Sequence, residues 1–214
     1  MTAGMNEKDM ARRAAAEIGD GYYVNLGIGM PTLVLDYVPA DKLVFFHTEN
    51  GLLGMGGFAQ KGETHPDLVD AAKQPVTCIQ GASFFASDIS FAMVRGGHID
   101  LAIMGAYQVS EKGDLANWTA PGMLPSIGGA MDIVAGVRRI IVMMTHTTKD
   151  GRPKIVKKLT YPVTGYGCVS MIITNLCVLD VTGEGLVLKE LAPGVSAHDV
   201  INSTGAALII PEKP

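Results

Sequence analysis

The stretch YYVNLGIGMPTLVLDY, residues 22–37, decides the fold. Residues 22–26 carry the tyrosine and valine of a strand. Gly27-Ile28-Gly29-Met30-Pro31 is a glycine-rich turn, and Pro31 sets the backbone for a helix over residues 32–37. Strand, turn and helix in that order form one βα unit, and the pattern continues on both sides. Upstream, residues 6–18 read as an amphipathic helix with Met10, Ala14 and Ile18 on one face and Asn6 as N-cap, stopped by Gly19-Asp20-Gly21. Downstream, strands at 43–47, 76–80, 101–104 and 140–145 are interspersed with helices at 88–95 and 130–135, and a long glycine-rich loop is expected from Glu49 to about His65. The C-terminal third changes character. Runs at 170–174, 177–181 and 186–191 succeed one another, the last two separated by turn residues 182–185, which predicts antiparallel pairing. A helix at 197–203 and a strand at 207–210 close the chain. The expected architecture is a single α/β domain over residues 1–214, with a mostly parallel sheet flanked by helices and antiparallel strands near the C-terminus.

Composition narrows the function. Hydrophobic residues make up 48% of the 214 and charged ones 18%, which excludes disorder. Seventeen Lys and Arg against 21 Asp and Glu give a net charge of −4 and no basic block, so a nucleic-acid surface is not expected. No apolar run approaches the roughly 20 residues of a membrane-spanning helix, and the N-terminus has no apolar signal core, so a cytoplasmic protein away from membranes is expected. Cys78, Cys168 and Cys177 are far apart and show no ligand spacing, which suits reduced structural thiols. The five histidines also lack ligand spacing, and neither a metal nor a redox cofactor is expected.

Common catalytic signatures are missing. Gly27-Ile28-Gly29 has Thr32 where a dinucleotide fingerprint needs its third glycine, and there is no phosphate-binding loop, zinc-protease helix or serine elbow. The informative stretch is FFHTENGLLGMGG, residues 45–57. It places Glu49 at the end of an apolar strand and follows it with Asn50-Gly51 and more glycines. Two readings stand. Glu49 is the solvated edge of an Asn-Gly turn, or it is a carboxylate nucleophile that forms covalent acyl intermediates when held ionised beside a target carbonyl.

Thr48-Glu49-Asn50-Gly51 followed by Leu52-Leu53-Gly54 resembles the active-site signature of the B subunit of class I coenzyme A transferases, in particular the 3-oxoacid group. The resemblance extends through VNLGIGMP (24–31), SFAMVRGGHIDLAIMGA (90–106), GDLANW (113–118), GGAMDIV (128–134), THTTKDGRPKIV (145–156) and LKELAPG (188–194). Thr48 departs from the serine usual in the family, keeping the hydroxyl and adding a methyl.

The resemblance implies that Glu49 is the nucleophile that becomes a glutamyl-CoA thioester. It implies that Gly128 and Gly129 form part of an oxyanion and substrate site, and that Gly27, Gly29 and Asn117 lie at the coenzyme A site. Read from residue types alone, Asn117 is equally a loop cap and Gly128-Gly129 equally a helix-initiating turn. A β-branched residue at Gly129 is expected both to disfavour a positive φ and to crowd the acyl group. The implied activity is transfer of coenzyme A between an acyl-CoA, succinyl-CoA foremost, and a 3-oxo acid such as acetoacetate. Coenzyme A serves as co-substrate, and an A subunit is the implied partner in a heterotetramer. Transfer to 3-oxoadipate, or among acetate and butyrate, is the alternative within the same class, and a non-enzymatic ligand-sensing domain on the same fold is the alternative outside it. No motif places a lysine or arginine where a substrate carboxylate binds.

Overall fold

The computed structural model describes residues 3–211. Helix α1 (Glu7–Ala15) starts at Asn6, whose side chain accepts from the Asp9 N–H while the Asp9 carboxylate accepts from the Asn6 N–H, a reciprocal capping box. Strand β1 (Tyr23–Leu26) leads through Gly27–Gly29 into a 3-10 helix (Met30–Tyr37). Then come β2 (Phe45–Thr48), β3 (Leu52–Phe58), β4 (Val76–Phe84), α2 (Ser87–Arg95), β5 (Leu101–Met104), β6 (Gln108–Ser110) and β7 (Leu115–Ala116). The remainder is α3 (Ala130–Gly136), β8 (Ile140–Met143), β9 (Ile155–Val156), β10 (Met171–Ile173), β11 (Cys177–Thr182), β12 (Gly185–Leu191), α4 (Ala197–Ser203) and β13 (Leu208–Ile209).

Ten strands form one sheet in the order β13-β12-β11-β10-β8-β5-β1-β2-β3-β4, and β7-β6-β9 form a small second sheet. The five central strands, from β10 to β2, are mutually parallel. They are covered on both faces, which explains why β5, β8 and β10 are unbroken apolar runs with every residue buried. Their period of two sorts side chains between two cores. Leu101, Ile103, Ile141 and Met143 face α1 and the 3-10 helix, while Ala102, Met104, Ile140 and Val142 face α2, α3, α4 and the small sheet.

The antiparallel pairs β10-β11 and β11-β12 lie where the C-terminal pattern predicts. A second antiparallel group, β2-β3-β4, occupies the opposite edge and corrects the expected loop from Glu49 to His65. Gly54, Gly56 and Gly57 hid β3 by breaking its alternation, and each pairing of β3 contains register shifts, as strand glycines at bulges produce. Among the described residues, no helix is long and apolar enough to cross a membrane.

Candidate active site

Glu49 opens the three-residue loop between β2 and β3, where Thr48 pairs with Leu52. The turn closes with the Gly51 N–H donating to the Thr48 carbonyl at 3.1 Å, and the Leu52 N–H donates to the Thr48 hydroxyl at 3.2 Å. The hydroxyl retained by threonine thus serves the hairpin. Gly51 has φ 112°, and a Cβ there would run into the Phe85 carbonyl oxygen, so the corner admits only glycine.

Behind the corner lies a buried polar chain. The Asn25 amide donates to His47 Nδ1 at 3.2 Å and to the His47 carbonyl at 3.3 Å. With Nδ1 accepting, the His47 proton is on Nε2, directed at Ser90 Oγ at 2.8 Å, and the Ser90 hydroxyl donates to the Thr48 carbonyl at 3.1 Å. Burial holds His47 neutral, its pKa lowered to about 4. This chain fixes the peptide immediately before Glu49.

Glu49 faces a cleft of about 490 Å³ at the C-terminal ends of β2, β1, β5 and β8. Ligands bind at this end of the strands in open α/β sheets. Gly27, Asn117, Gly128 and Gly129 line the same cleft, so five of the six residues singled out from the sequence meet there. Gly29 does not line it; with φ 90° it is the entry to the 3-10 helix, a turn-forming position.

Gly129 approaches the carboxylate most closely. An idealised Cβ on it would stand 2.8 Å from Glu49 Oε2 and 2.5 Å from Phe91 Cε1. Its φ is −85°, and the positive φ of the pair, 50°, belongs to Gly128. The φ half of the Gly129 expectation is therefore corrected, and the groups that a side chain there would crowd are the Glu49 carboxylate and the Phe91 ring. Gly27 is held by packing: its N–H donates to the Ile103 carbonyl at 2.8 Å, and a Cβ would meet that oxygen at 3.2 Å. Asn117 is braced by Thr164, whose hydroxyl donates to Asn117 Oδ1 at 2.7 Å and accepts from the Asn117 N–H at 3.1 Å.

Burial raises the pKa of Glu49, and the nearby negative charge of Asp132 raises it further. A carboxylate in this setting is poorly solvated and correspondingly reactive once ionised. The sequence reading did not single out Lys154, which also lines the cleft and whose pKa burial lowers to about 8. It lies inside THTTKDGRPKIV, but only the folded chain brings it to the site. No cluster of three or more His, Cys, Asp or Glu side chains suited to a metal occurs among the described residues.

The cleft thus sets a partly desolvated carboxylate beside a closely approaching glycine backbone at the strand ends. Residues 8–203 match the Coenzyme A transferase family, to which the chain belongs. It is 51% identical over 211 residues to the B subunit of 3-oxoadipate CoA-transferase from Pseudomonas putida, covering 98% of this chain and 99% of that protein. It is 50% identical over 202 residues to human mitochondrial succinyl-CoA:3-ketoacid coenzyme A transferase 2, covering 93% of this chain and 39% of that longer one. The fold is shared with the acyl-CoA transferase YdiF of Escherichia coli O157:H7, with a TM-score of 0.77 at 22% identity over 97% of this chain and 42% of that one.

Proposed function

We propose that this chain is the glutamate-bearing B subunit of a two-subunit CoA-transferase, and that its acceptor is 3-oxoadipate rather than acetoacetate. The observation that carries the reading is the desolvated Glu49 carboxylate packed against Gly129 at the edge of the cleft. The choice of acid draws on the P. putida relative, which matches over nearly its whole length and is named for 3-oxoadipate. That relative is one subunit of its enzyme, the B subunit, which supports a partner A subunit here as well.

In the reaction, Glu49 attacks the acyl-CoA carbonyl, giving a glutamyl-acyl anhydride and CoA thiolate. The thiolate attacks the glutamyl carbonyl, forming the enzyme thioester and releasing the first acid. The incoming carboxylate attacks the thioester carbonyl to form a second anhydride and release thiolate, which takes the new acyl group and regenerates Glu49. The backbone at Gly128 and Gly129 stabilises the oxyanions, and each such donor is worth about 2.7 to 4 kcal/mol in comparable hydrolase sites. Coenzyme A is co-substrate, and the cycle uses no metal or redox group.

The test is incubation of the complex reconstituted with an A subunit in acyl-CoA alone. Intact-mass spectrometry is expected to show one added CoA, mapped by digestion to the Glu49 peptide, and borohydride is expected to inactivate only after acyl-CoA is added. An adduct that persists in Glu49→Ala would remove Glu49 from the reaction.

A further inference from the structure

We propose that Lys154 anchors the free carboxylate of a dicarboxylic acyl group whose other end reacts at Glu49, so that the cleft favours dicarboxylic over monocarboxylic acyl chains. The inference rests on the reading of Glu49 given above and adds the substrate class of the same site.

Among the described residues, Glu49 and Lys154 are the only cleft-lining side chains that ordinarily carry a full charge near neutral pH. Lys154 makes no ion pair among the described residues, whereas Arg152, two residues away, is occupied by Asp150 at 2.7 Å. The lysine's backbone is firmly placed. Its backbone N–H donates to the His146 carbonyl at 3.1 Å, and its carbonyl accepts from the Val109 N–H at 3.0 Å, which locks the segment to the small sheet just before β9.

Both charges line one cleft but come from different parts of the sheet. Glu49 follows β2, and Lys154 stands just before β9 in the connection that leaves β8, while β1 and β5 lie between β2 and β8. Three strand spacings separate the backbones of β2 and β8, roughly 14 Å at about 4.8 Å each. A cleft of about 490 Å³ has room for a short acyl chain, and Met104, Ala106, Ile133, Met143 and Met144 also line it and suit methylene groups.

A cation withdrawn from water without a counter-charge is unfavourable, and an arriving carboxylate supplies the missing partner. Coenzyme A's phosphates are the other anions available. They sit on a bulky nucleotide that suits an open surface better than a half-buried ammonium in the cleft shared with the reacting carboxylate.

The experiment uses the reconstituted complex and follows formation of the enzyme-CoA adduct from succinyl-CoA, which has a free carboxylate, and from acetoacetyl-CoA, which has none. Lys154→Met is expected to reduce kcat/KM for succinyl-CoA by about 10- to 100-fold more than for acetoacetyl-CoA, as loss of a charge-assisted hydrogen bond implies. Lys154→Arg is expected to restore most of the difference. The wild-type preference for succinyl-CoA is also expected to fall above about pH 8 and to persist there in the arginine variant. The other titratable groups here are Glu49 and Tyr107 in the cleft and His146 against the lysine backbone, and burial keeps His146 neutral above about pH 4.

Equal losses with the two acyl-CoAs would assign the lysine to coenzyme A's phosphates or to packing and overturn the proposal, as would no loss with either. A wild-type complex that forms no adduct from any acyl-CoA would instead fail the Glu49 reading, and the anchor would fall with it.

Discussion

Replacing Gly129 by alanine adds one methyl group at the point of closest approach to the carboxylate. That methyl would stand 2.8 Å from Glu49 Oε2 and 2.5 and 2.7 Å from two carbons of the Phe91 ring, where ordinary contact begins at 3.4 Å. The carboxylate oxygen must retreat by about 0.6 Å and the ring by up to about 0.9 Å. Alanine accepts φ −85° and ψ 5° without strain, so the substitution isolates crowding from backbone effects. A displacement approaching 1 Å at a reacting atom costs up to about 100-fold, so kcat and the rate of adduct formation are expected to fall roughly 10- to 100-fold. Overpacking of this size costs about 1–3 kcal/mol of stability, which a folded domain survives. Gly128→Ala is the control. Its φ is 50° but its Cβ would have nothing within 4 Å, so it should show backbone strain of about 1–2 kcal/mol with a smaller loss of rate. The two variants are compared by stopped-flow adduct formation in the reconstituted complex and by thermal melts. Wild-type kcat in Gly129→Ala, or a greater rate loss in Gly128→Ala, would refute the contact argument.

Asp132 raises the Glu49 pKa through its charge, so Asp132→Asn should move the acid limb of the kcat/KM profile to lower pH; an unmoved limb would mean that this coupling is ineffective. The same burial makes ionised Glu49 unfavourable to the fold. Its folded pKa is raised, so the native state holds the proton more tightly and stability falls as pH rises from the unfolded value of 4.5 through the folded one. Glu49→Gln should therefore melt higher than wild type at pH 7.5, with the gap closing below about pH 4.5; a lower melting temperature at pH 7.5 would contradict this. His47 and His146 have the opposite linkage. Each is buried neutral with its pKa lowered to about 4, so stability present above pH 6.5 should be lost as pH falls toward 4, measured by urea unfolding across that window. A flat profile would argue against their burial as neutral groups.

The parallel centre was legible because strands covered on both faces leave a mark that no other element leaves, as in LAIM at 101–104 and IIVM at 140–143. Asn6 and Asp9 likewise declared the start of α1. Strand β3 was illegible because its glycines carry no side chain to alternate, and their role lies in the close approach of β4: a Cβ at Gly54 would meet Ala82 at 3.0 Å. The two-residue strands β7 and β9 are too short to show any period. At the site, Glu49 was marked by its place between an apolar strand and a glycine turn. Lys154 was not, because nothing local distinguishes it from Lys157 or Lys158; its significance comes from β6, which brings its segment across to the cleft. Gly27 and Gly29 share one motif, and only the folded chain separates them, since Gly27 lines the cleft and Gly29 stands at the entry to the 3-10 helix.

The order of the central strands also governs how the chain acquires its shape. Strand β1 lies between β2, about twenty residues later in sequence, and β5, where Val24 pairs with Leu101. The hairpin bearing Glu49 can form early and locally, but β1 keeps one edge unsatisfied until more than a hundred residues have left the ribosome. Gly129 and Lys154 emerge later still. Such long-range parallel pairing is slow relative to local contacts and leaves apolar edges open to aggregation during synthesis. Substitutions that delay docking of β5 should lower the yield of soluble chain without touching the melting temperature of the molecules that succeed.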